Sequence, residues 1–322
     1  MIDYYKDIVL ESNLSLRRNI EGYNFPMALS EEDSLEIIEK FKEIFEDDLV
    51  LIYELDEKTL NKLINAGVLS EDSLSKQALI GLVIKEDYII VINDVDHLSI
   101  NITDFGSDIK ASYKKAKDIE KFLDKEFDFA FSAKYGYLTS LARNTGDGIE
   151  LRLKIFLFGL LDNSQSYLAL KSTLAHDGIY FTRYVPEYFK KYNDDIYLLK
   201  NYGNYRKDIK AQMEVIEELV DTIVRNERRF RRDYQSLNGL KDEDMKDHLR
   251  LVEENLQSNN IKSLTDMLEV LYELKKYSIL GFKTKLSDKQ IDYLIFNITK
   301  NKYKGNRDSE RYEFFNSYVK EQ

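Results

Sequence analysis

The chain has 322 residues, of which 43% are hydrophobic, and this is enough for one large or two ordinary globular domains. Its net charge of −11 disfavours non-specific binding to nucleic acid or to an anionic membrane. The absence of cysteine excludes disulfides, thiolate zinc sites and thiol nucleophiles. The three histidines lie far apart in sequence, so we expect no histidine metal cluster.

The N-terminal sequence MIDYYKDIVL lacks the basic and then apolar pattern of a signal peptide. The longest apolar stretches, such as Ile155–Leu161, are far shorter than the ~20 residues needed to span a bilayer. We therefore expect a soluble, cytoplasmic protein that binds neither nucleic acid nor a membrane.

The first part of the chain predicts both helices and strands. Ser30-Glu31-Glu32-Asp33 resembles a capping box, and Leu35, Ile38, Phe41, Ile44 and Phe45 follow it at helical spacing. A helix over Ser107–Phe127 is expected to bury Ile109, Ala116, Ile119, Phe122 and Leu123. Further predicted helices are Asn163–Ala175 and Lys207–Arg232, and the predicted strands are Gln77–Ile84, Asp87–Asn93, Phe129–Ser132, Ile149–Phe158, Gly178–Tyr184 and Asp195–Tyr202.

Beyond Ser236–Leu240 the pattern predicts helices alone. These are Asp242–Gln257, Ser263–Leu280, Asp288–Thr299 and a last helix from about Ser309 to Lys320. The fold class is therefore α+β, with a mixed domain over residues 1–237 and an all-α domain over residues 238–322.

Four segments carry short motifs in a fixed order: Ser12–Pro26, Leu69–His97, Phe129–Arg152 and Ile261–Phe282. The most specific is Gly136-Tyr137-Leu138-Thr139-Ser140, followed by Asn144, Gly146 and Gly148. Together they resemble the bacterial protein-arginine kinases of the ATP:guanido phosphotransferase, or phosphagen kinase, family. The resemblance implies an antiparallel sheet flanked by helices, then a helical domain used for dimerisation and for binding phosphoarginine.

Transfer of phosphate from ATP to a guanidinium needs arginines around the Mg-triphosphate and a carboxylate that orients and deprotonates the guanidinium. Here the resemblance places family phosphate arginines on Asn13, Ser15, Ser99 and Glu150, and one of two acidic residues on Val95. The substrate-site cysteine corresponds to Leu141. At Glu150, the carboxylate would repel a nearby triphosphate by on the order of several kcal/mol.

Some residues of suitable chemistry remain. The catalytic candidates are Asp94, one methylene shorter than the family residue, and Glu187, in a loop without a secure alignment. The candidates for binding nucleotide or phosphate are Arg17, Arg18, His97, Arg143, Arg152 and Arg183, of which Arg18 fits a mostly structural family arginine. We predict no resident metal, and Mg-ATP only if the chain is active.

Each of these features also has a purely structural interpretation. Asp94, Asp96 and His97 follow a strand and are more often turn-capping residues. Gly146-Asp147-Gly148 is more often a plain turn than a phosphate cradle, and the Arg228–Arg232 cluster is more often a solvated helix end.

Three hypotheses follow. The first is a pseudokinase with a binding or regulatory role, as a homodimer and as a partner of a true arginine kinase or of phosphoarginine-marked proteins. The second is an active phosphotransferase with a rebuilt site. The third is a dimeric scaffold without use of the pocket. Arg307 and Arg311 are possible anion contacts in the helical domain, but no motif fixes their role.

Overall fold

A computed structural model provides the coordinates of the chain. The chain divides into two compact units, which are described separately: Met1–Phe156, Ala169–Thr182 and Tyr197–Ile223 form the first, and Leu157–Leu168, Arg183–Ile196 and Val224–Gln322 form the second. The described residues are 7–56, 59–60, 63–64, 67–70, 72–76, 78–104, 108–161, 164–183, 196–201, 209–256, 261, 263–298 and 307–320.

A large sheet forms the centre of the first unit. In chain order the strands are β1 Val9–Arg18, β2 Leu49–Leu51, β3 Gly81–Ile84, β4 Ile89–Ile92, β5 Leu98–Asp104, β6 Phe131–Ser132, β7 Gly136–Tyr137, β8 Ile149–Phe156, β9 Ile179–Arg183 and β10 Ile196–Asn201. Within the described residues, eight of them form one sheet in the order β2-β3-β4-β5-β1-β8-β10-β9, and β6 pairs with β7 separately. Every pair whose register is described runs antiparallel.

Nine helices are described in the two units. They are α1 Glu31–Phe45, α2 Ile109–Leu123, α3 Phe158–Leu161, α4 Ser164–His176, α5 Ile209–Leu237, α6 Asp242–Leu256, α7 Leu264–Ile279, α8 Asp288–Ile298 and α9 Arg307–Lys320. The predicted α+β class with helices at the C-terminal end of the chain is confirmed.

Strand β1 lies between β5 and β8, and its side chains alternate between two buried faces. One face is apolar, with Leu14 and Leu16 beside Ile100 and Leu151, and α2 packs against β1 and β5. The other face is polar and yet almost fully buried. No strand was predicted here or at β5, because a strand buried on both faces is expected to be apolar throughout. The short strands β2 and β7, of three and two residues, were also not predicted.

Most other predicted elements are confirmed to within a few residues. Ser30 caps α1, and its Oγ accepts a hydrogen bond from the Asp33 backbone N–H. Leu35 and Phe122 were placed with the apolar residues of their helices, but they are 47% and 50% exposed. In α2 the buried position is occupied by Glu120 instead, because this carboxylate pairs with Arg18.

The second unit contains a helical core. Its buried side chains are apolar at helical spacing, and they include Met245, Leu249, Val252, Leu256, Leu268, Leu271, Leu274, Ile291, Leu294 and Phe315. The interpretation of Arg228–Arg232 as a solvated helix end is wrong for Arg231, which is 5% exposed, pairs with Glu227 and lies over the Phe158 ring. Among the described helices, none is both long and apolar enough to cross a membrane.

Candidate functional site

The polar face of the sheet in the first unit is the candidate site. Strand register sets the odd-numbered residues of β1 beside those of β5, pairing Ser15 with Asn101 and Arg17 with Ser99. On the other side of β1, Ser15 lies beside Glu150 of β8. We call this surface the polar face and define it by Asn13, Ser15, Arg17, Ser99, Asn101, Thr103, Glu150 and Arg152.

Neutral side chains fill the β1 and β5 half of the polar face. Ser15 donates to Asn101 Oδ1 at 2.6 Å, and Asn13 donates to Thr103 Oγ1 at 3.0 Å. The Asn101 amide donates in turn to the backbone oxygen of Ile89 at 3.3 Å. Two positions that the family resemblance assigns to phosphate arginines therefore carry a neutral hydrogen-bonded network, which offers an anion no charge.

Glu150 forms the charged half of the polar face. Its carboxylate pairs with the Arg152 guanidinium and lies 3.1 Å from Lys200 Nζ, and only 2% of the side chain is exposed. Burial alone would raise the pKa of this carboxyl group, but the charges of Arg152, Arg17 and Lys200 outweigh burial and lower the pKa to about 2. We call Glu150 and these three cations the Glu150 cluster.

Lys200 is a site residue that the sequence analysis missed. It lies in β10, which neighbours β8 in the sheet. Burial and the charges of Arg152 and Arg143 lower the pKa of Lys200, while Glu150 raises it. The available signal was a lysine between Leu199 and Asn201, since a charged residue inside a central strand needs a buried partner.

Arg17 extends the cluster toward Asp96. Arg17 Nη1 lies 3.9 Å from Asp96 Oδ2, and Asp96 Oδ1 accepts hydrogen bonds from Asn19 Nδ2 at 2.8 Å and from the Ser140 backbone N–H at 2.7 Å. Burial raises the pKa of Asp96, although the charge of Arg17 and these hydrogen bonds oppose it. Among the described residues, no acceptor bonds to Nε of Arg17 or of Arg143.

Asp94, the predicted catalytic carboxylate, follows β4 and forms hydrogen bonds with residues that precede β3. Its oxygens accept from the Ser70 backbone N–H at 2.8 Å, the Ser70 hydroxyl at 2.6 Å and the Ser73 hydroxyl at 2.8 Å. Lys76 Nζ adds a hydrogen bond of 2.6 Å to the same carboxylate. Ser70, Ser73 and Lys76 thus supply the hydrogen bonds of the Asp94 carboxylate, as expected for a structural residue. We call these three residues and Asp94 the Asp94 cluster.

His97 and Arg18, both candidates for binding phosphate, have structural partners. The Ile20 backbone N–H donates to His97 Nδ1 at 3.0 Å, so Nε2 carries the proton and donates to the Asn24 backbone oxygen at 2.9 Å. Burial lowers the pKa of His97 to about 4, which keeps the ring neutral at pH 7. Arg18 lies on the opposite side of the sheet and pairs with Glu120.

Two glycines of the third segment allow close approach of the backbone. Gly148 has φ +69°, and a Cβ there would lie 2.4 Å from the Arg17 backbone oxygen. Gly136 has φ +78°, and a Cβ there would lie 2.8 Å from the Gly146 backbone. Both positions require glycine because other residues rarely adopt this φ and have no room for a side chain. At Gly136 the close atoms are backbone atoms, and at Gly148 they are the Arg17 backbone oxygen and Arg18 Nη1.

Among the described residues between 59 and 70, Gly67 contacts the Glu150 cluster. Leu60, Leu63 and Leu69 pack in one apolar cluster with Leu82 and Val91 of β3 and β4. At Gly67, φ is +69° and a Cβ would lie 1.1 Å from Arg152 Nη1, so the guanidinium lies directly on the glycine.

The structure thus brings Arg17 and Arg152 together around Glu150, with Arg143 close enough to affect Lys200. It places Asp94, His97 and Arg18 in separate structural clusters. Arg183 ends strand β9, and Glu187 lies outside the described residues.

The fold agrees with that of solved guanidino phosphotransferases. The model of the ATP:guanido phosphotransferase C-terminal catalytic domain matches residues 30–230. The chain belongs to the ATP:guanido phosphotransferase family.

Relatives that are named protein-arginine kinase cover most of the chain. The protein-arginine kinase of Caldanaerobacter subterraneus subsp. tengcongensis is 29% identical over 260 residues, which is 76% of this chain and 75% of the relative. That of Syntrophomonas wolfei is 26% identical over 310 residues, covering 91% and 83% of the two chains.

Solved structures agree on the fold. A lombricine kinase aligns with a TM-score of 0.57 and 14% identity, over 74% of this chain and 70% of its own. The duplicated taurocyamine kinase of Schistosoma mansoni, bound to transition-state analogue components, aligns with a TM-score of 0.60 and 17% identity. That alignment covers 92% of this chain and 47% of the duplicated one.

Proposed function

We propose that this chain is a pseudokinase: a non-catalytic member of its family with a binding or regulatory role in protein-arginine phosphorylation. The observation that carries the proposal is that two carboxylates of the candidate site, Glu150 and Asp94, are already bound by the protein's own groups. Glu150 binds Arg152 and Lys200, and Asp94 is bound by Ser70, Ser73 and Lys76.

Mg-ATP does not fit the charges of the polar face. The triphosphate would need arginines at positions that hold Asn13 and Ser15, whose polar atoms already bond to Thr103 and Asn101. It would also meet the Glu150 carboxylate, which stays ionised because the pKa of Glu150 is lowered to about 2. Removal of one charge-stabilising group often costs about 100-fold in rate, so several replacements together leave little catalysis.

The regulatory partner that we propose is a true protein-arginine kinase or a protein marked with phosphoarginine. The relatives with this name motivate the choice, because their likeness extends over most of the chain. A homodimer in the cytoplasm is part of the same proposal. Light scattering on a size-exclusion column would measure the mass, and a monomer at micromolar concentration would contradict the dimer.

The central experiment is a direct activity assay. The purified chain is incubated with Mg-ATP labelled at the γ-phosphate and with an arginine-rich protein, and acid-labile phosphate is counted. The protein-arginine kinase of Caldanaerobacter subterraneus subsp. tengcongensis, assayed in parallel, is the positive control. We expect no incorporation above background, and turnover at ordinary kinase rates, roughly 1–100 per second, would refute the proposal.

The alternative function is an active protein-arginine phosphotransferase with a rebuilt site. It is favoured by Arg17 and Arg143, whose Nε atoms have no hydrogen-bond acceptor among the described residues. In this alternative these residues, with Arg152 and Arg183, hold Mg-ATP, and Asp94 or Glu187 is the base. Calorimetry decides between the two functions: the alternative requires saturable ATP binding, and no heat at millimolar ATP would exclude it.

A scaffold that makes no use of the polar face differs in one respect from a protein that binds phosphoarginine. A phosphoarginine-binding protein should no longer capture an arginine-phosphorylated protein when Arg143→Gln is introduced. Lys154→Gln on β8 is the control for loss of a cation. A scaffold should tolerate both changes. The unphosphorylated protein is the matched probe for binding that does not depend on phosphate.

A further inference from the structure

In the Glu150 cluster, a buried carboxylate lies among several cations. On β8, Glu150 and Arg152 are two residues apart and face the same side of the sheet. Lys200 approaches the same oxygen, Glu150 Oε1, from β10 at 3.1 Å. One carboxylate oxygen thus receives two cationic groups.

This arrangement is stable only because anion and cations compensate each other. A carboxylate loses several kcal/mol of hydration when it is buried, and it is tolerated where paired charges replace the water. The same holds for Arg17, which is 5% exposed. Removing the carboxylate would leave the buried Arg17 and the partly exposed Arg152 and Lys200 with less negative charge around them, and such groups take up an anion where one fits.

A carboxylate and a phosphate offer cations similar partners. Both present anionic oxygens that accept hydrogen bonds from a planar guanidinium and from an ammonium group. Glu150 is attached to the chain, so it competes with any free anion at a high effective concentration.

We propose that Glu150 is a built-in anion, which occupies Arg17, Arg152 and Lys200 and closes these three cations to free phosphate and to the phosphates of a nucleotide. This inference rests on the proposed function: if the chain does not bind nucleotide, Glu150 is the group that prevents it. The neutral network at Asn13 and Ser15 lies outside the Glu150 cluster and would stay as it is.

The test is the isosteric substitution Glu150→Gln, with inorganic phosphate as the probe. Binding is measured by isothermal titration and by thermal shift in phosphate, against chloride at equal ionic strength. We expect no saturable binding by the unaltered chain, and saturable binding by E150Q with a dissociation constant about 100-fold below the highest phosphate concentration at which the unaltered chain shows none.

Glu11→Gln is the matched control. Glu11 pairs with Lys154 at 2.7 Å across the same two strands, but its side chain is 25% exposed. We expect E11Q to bind no phosphate, because water reaches the Glu11 carboxylate and can replace it, whereas the Glu150 side chain is only 2% exposed. Equal gains in E11Q and E150Q would overturn the proposal, as would a folded E150Q without phosphate binding.

Two further variants protect the test. E150Q combined with Lys200→Met should bind phosphate about tenfold more weakly than E150Q alone, because Lys200 is one of the released cations. If E150Q does not fold in chloride, E150Q and E150Q combined with Lys200→Met are both refolded in phosphate. Recovery of E150Q alone supports the proposal, whereas equal recovery of both reflects the general stabilising effect of phosphate and overturns it. Failure in both salts while Glu150→Asp folds overturns it. Kinase turnover by the unaltered chain would instead refute the pseudokinase function, so the two failures are distinct.

Discussion

His97 makes the stability of the first unit depend on pH. The ring is fully buried, its Nδ1 accepts from the Ile20 backbone N–H, and its Nε2 donates to the Asn24 backbone oxygen. Protonation of Nδ1 would break the first of these hydrogen bonds and place a charge in the core. The substitution that isolates this effect is His97→Gln, which keeps a polar side chain but cannot titrate.

The magnitude follows from the two pKa values of His97. In the unfolded chain the pKa is 6.5, and burial lowers it to about 4 in the folded protein. Between these values the unfolded state binds a proton that the folded state does not, so stability falls as the pH drops from 6.5 to about 4. The loss is about 3 kcal/mol, because each pKa unit corresponds to about 1.4 kcal/mol.

The assay is urea denaturation followed by circular dichroism at several pH values between 7.5 and 4. The free energy of unfolding of the unaltered chain minus that of H97Q should fall by about 3 kcal/mol across this range. Asp96 and Glu150 titrate in both proteins, so their contributions cancel in the difference. A difference that stays constant within about 0.5 kcal/mol would refute the assignment of a neutral, structural His97.

Three other substitutions test the remaining clusters. Glu120→Gln should lower the free energy of unfolding by about 3 kcal/mol, because it leaves the buried Arg18 cation without its partner; an unchanged urea midpoint would contradict this. Gly148→Ala should cost about 2 kcal/mol or more in the same assay, since φ is +69° and a backbone oxygen lies 2.4 Å from the new Cβ; full stability would exclude that geometry. Asp94→Asn should speed trypsin cleavage after Lys76, measured by mass spectrometry, because the lysine loses its counter-ion; equal cleavage rates would contradict the Asp94 cluster.

Elements with a clear apolar period could be predicted from sequence, whereas β1 could not. The C-terminal helices repeat apolar residues at helical spacing, and α6 begins at the predicted Asp242. Strand β1 alternates as a strand should, but its polar residues Asn13 and Ser15 are buried as deeply as Leu14. Such burial depends on hydrogen bonds from β5, and no local pattern reveals a partner about 90 residues away.

The same limit applies to the ion pairs. Phe122 was expected in the core of α2, yet Glu120 is buried there, because the register of the sheet brings Arg18 toward the helix. Lys200 went unrecognised because its partner Glu150 lies on another strand. Sequence reasoning identified Glu150 as a charge that repels phosphate, and the structure adds the cations that its carboxylate occupies.

These contacts also change what the preserved motifs mean. Asn19, Asp96, His97 and Gly148 have partners that the fold itself requires, so their presence says nothing about catalysis. The informative groups are cationic donors that have no hydrogen-bond acceptor within the protein. Among the described residues, the Nε atoms of Arg17 and Arg143 are of this kind. Any anion that the unaltered chain does bind at the polar face should therefore depend on the Arg143 guanidinium, because Glu150 already occupies Arg17. Loss of Arg18 should affect stability before it affects binding.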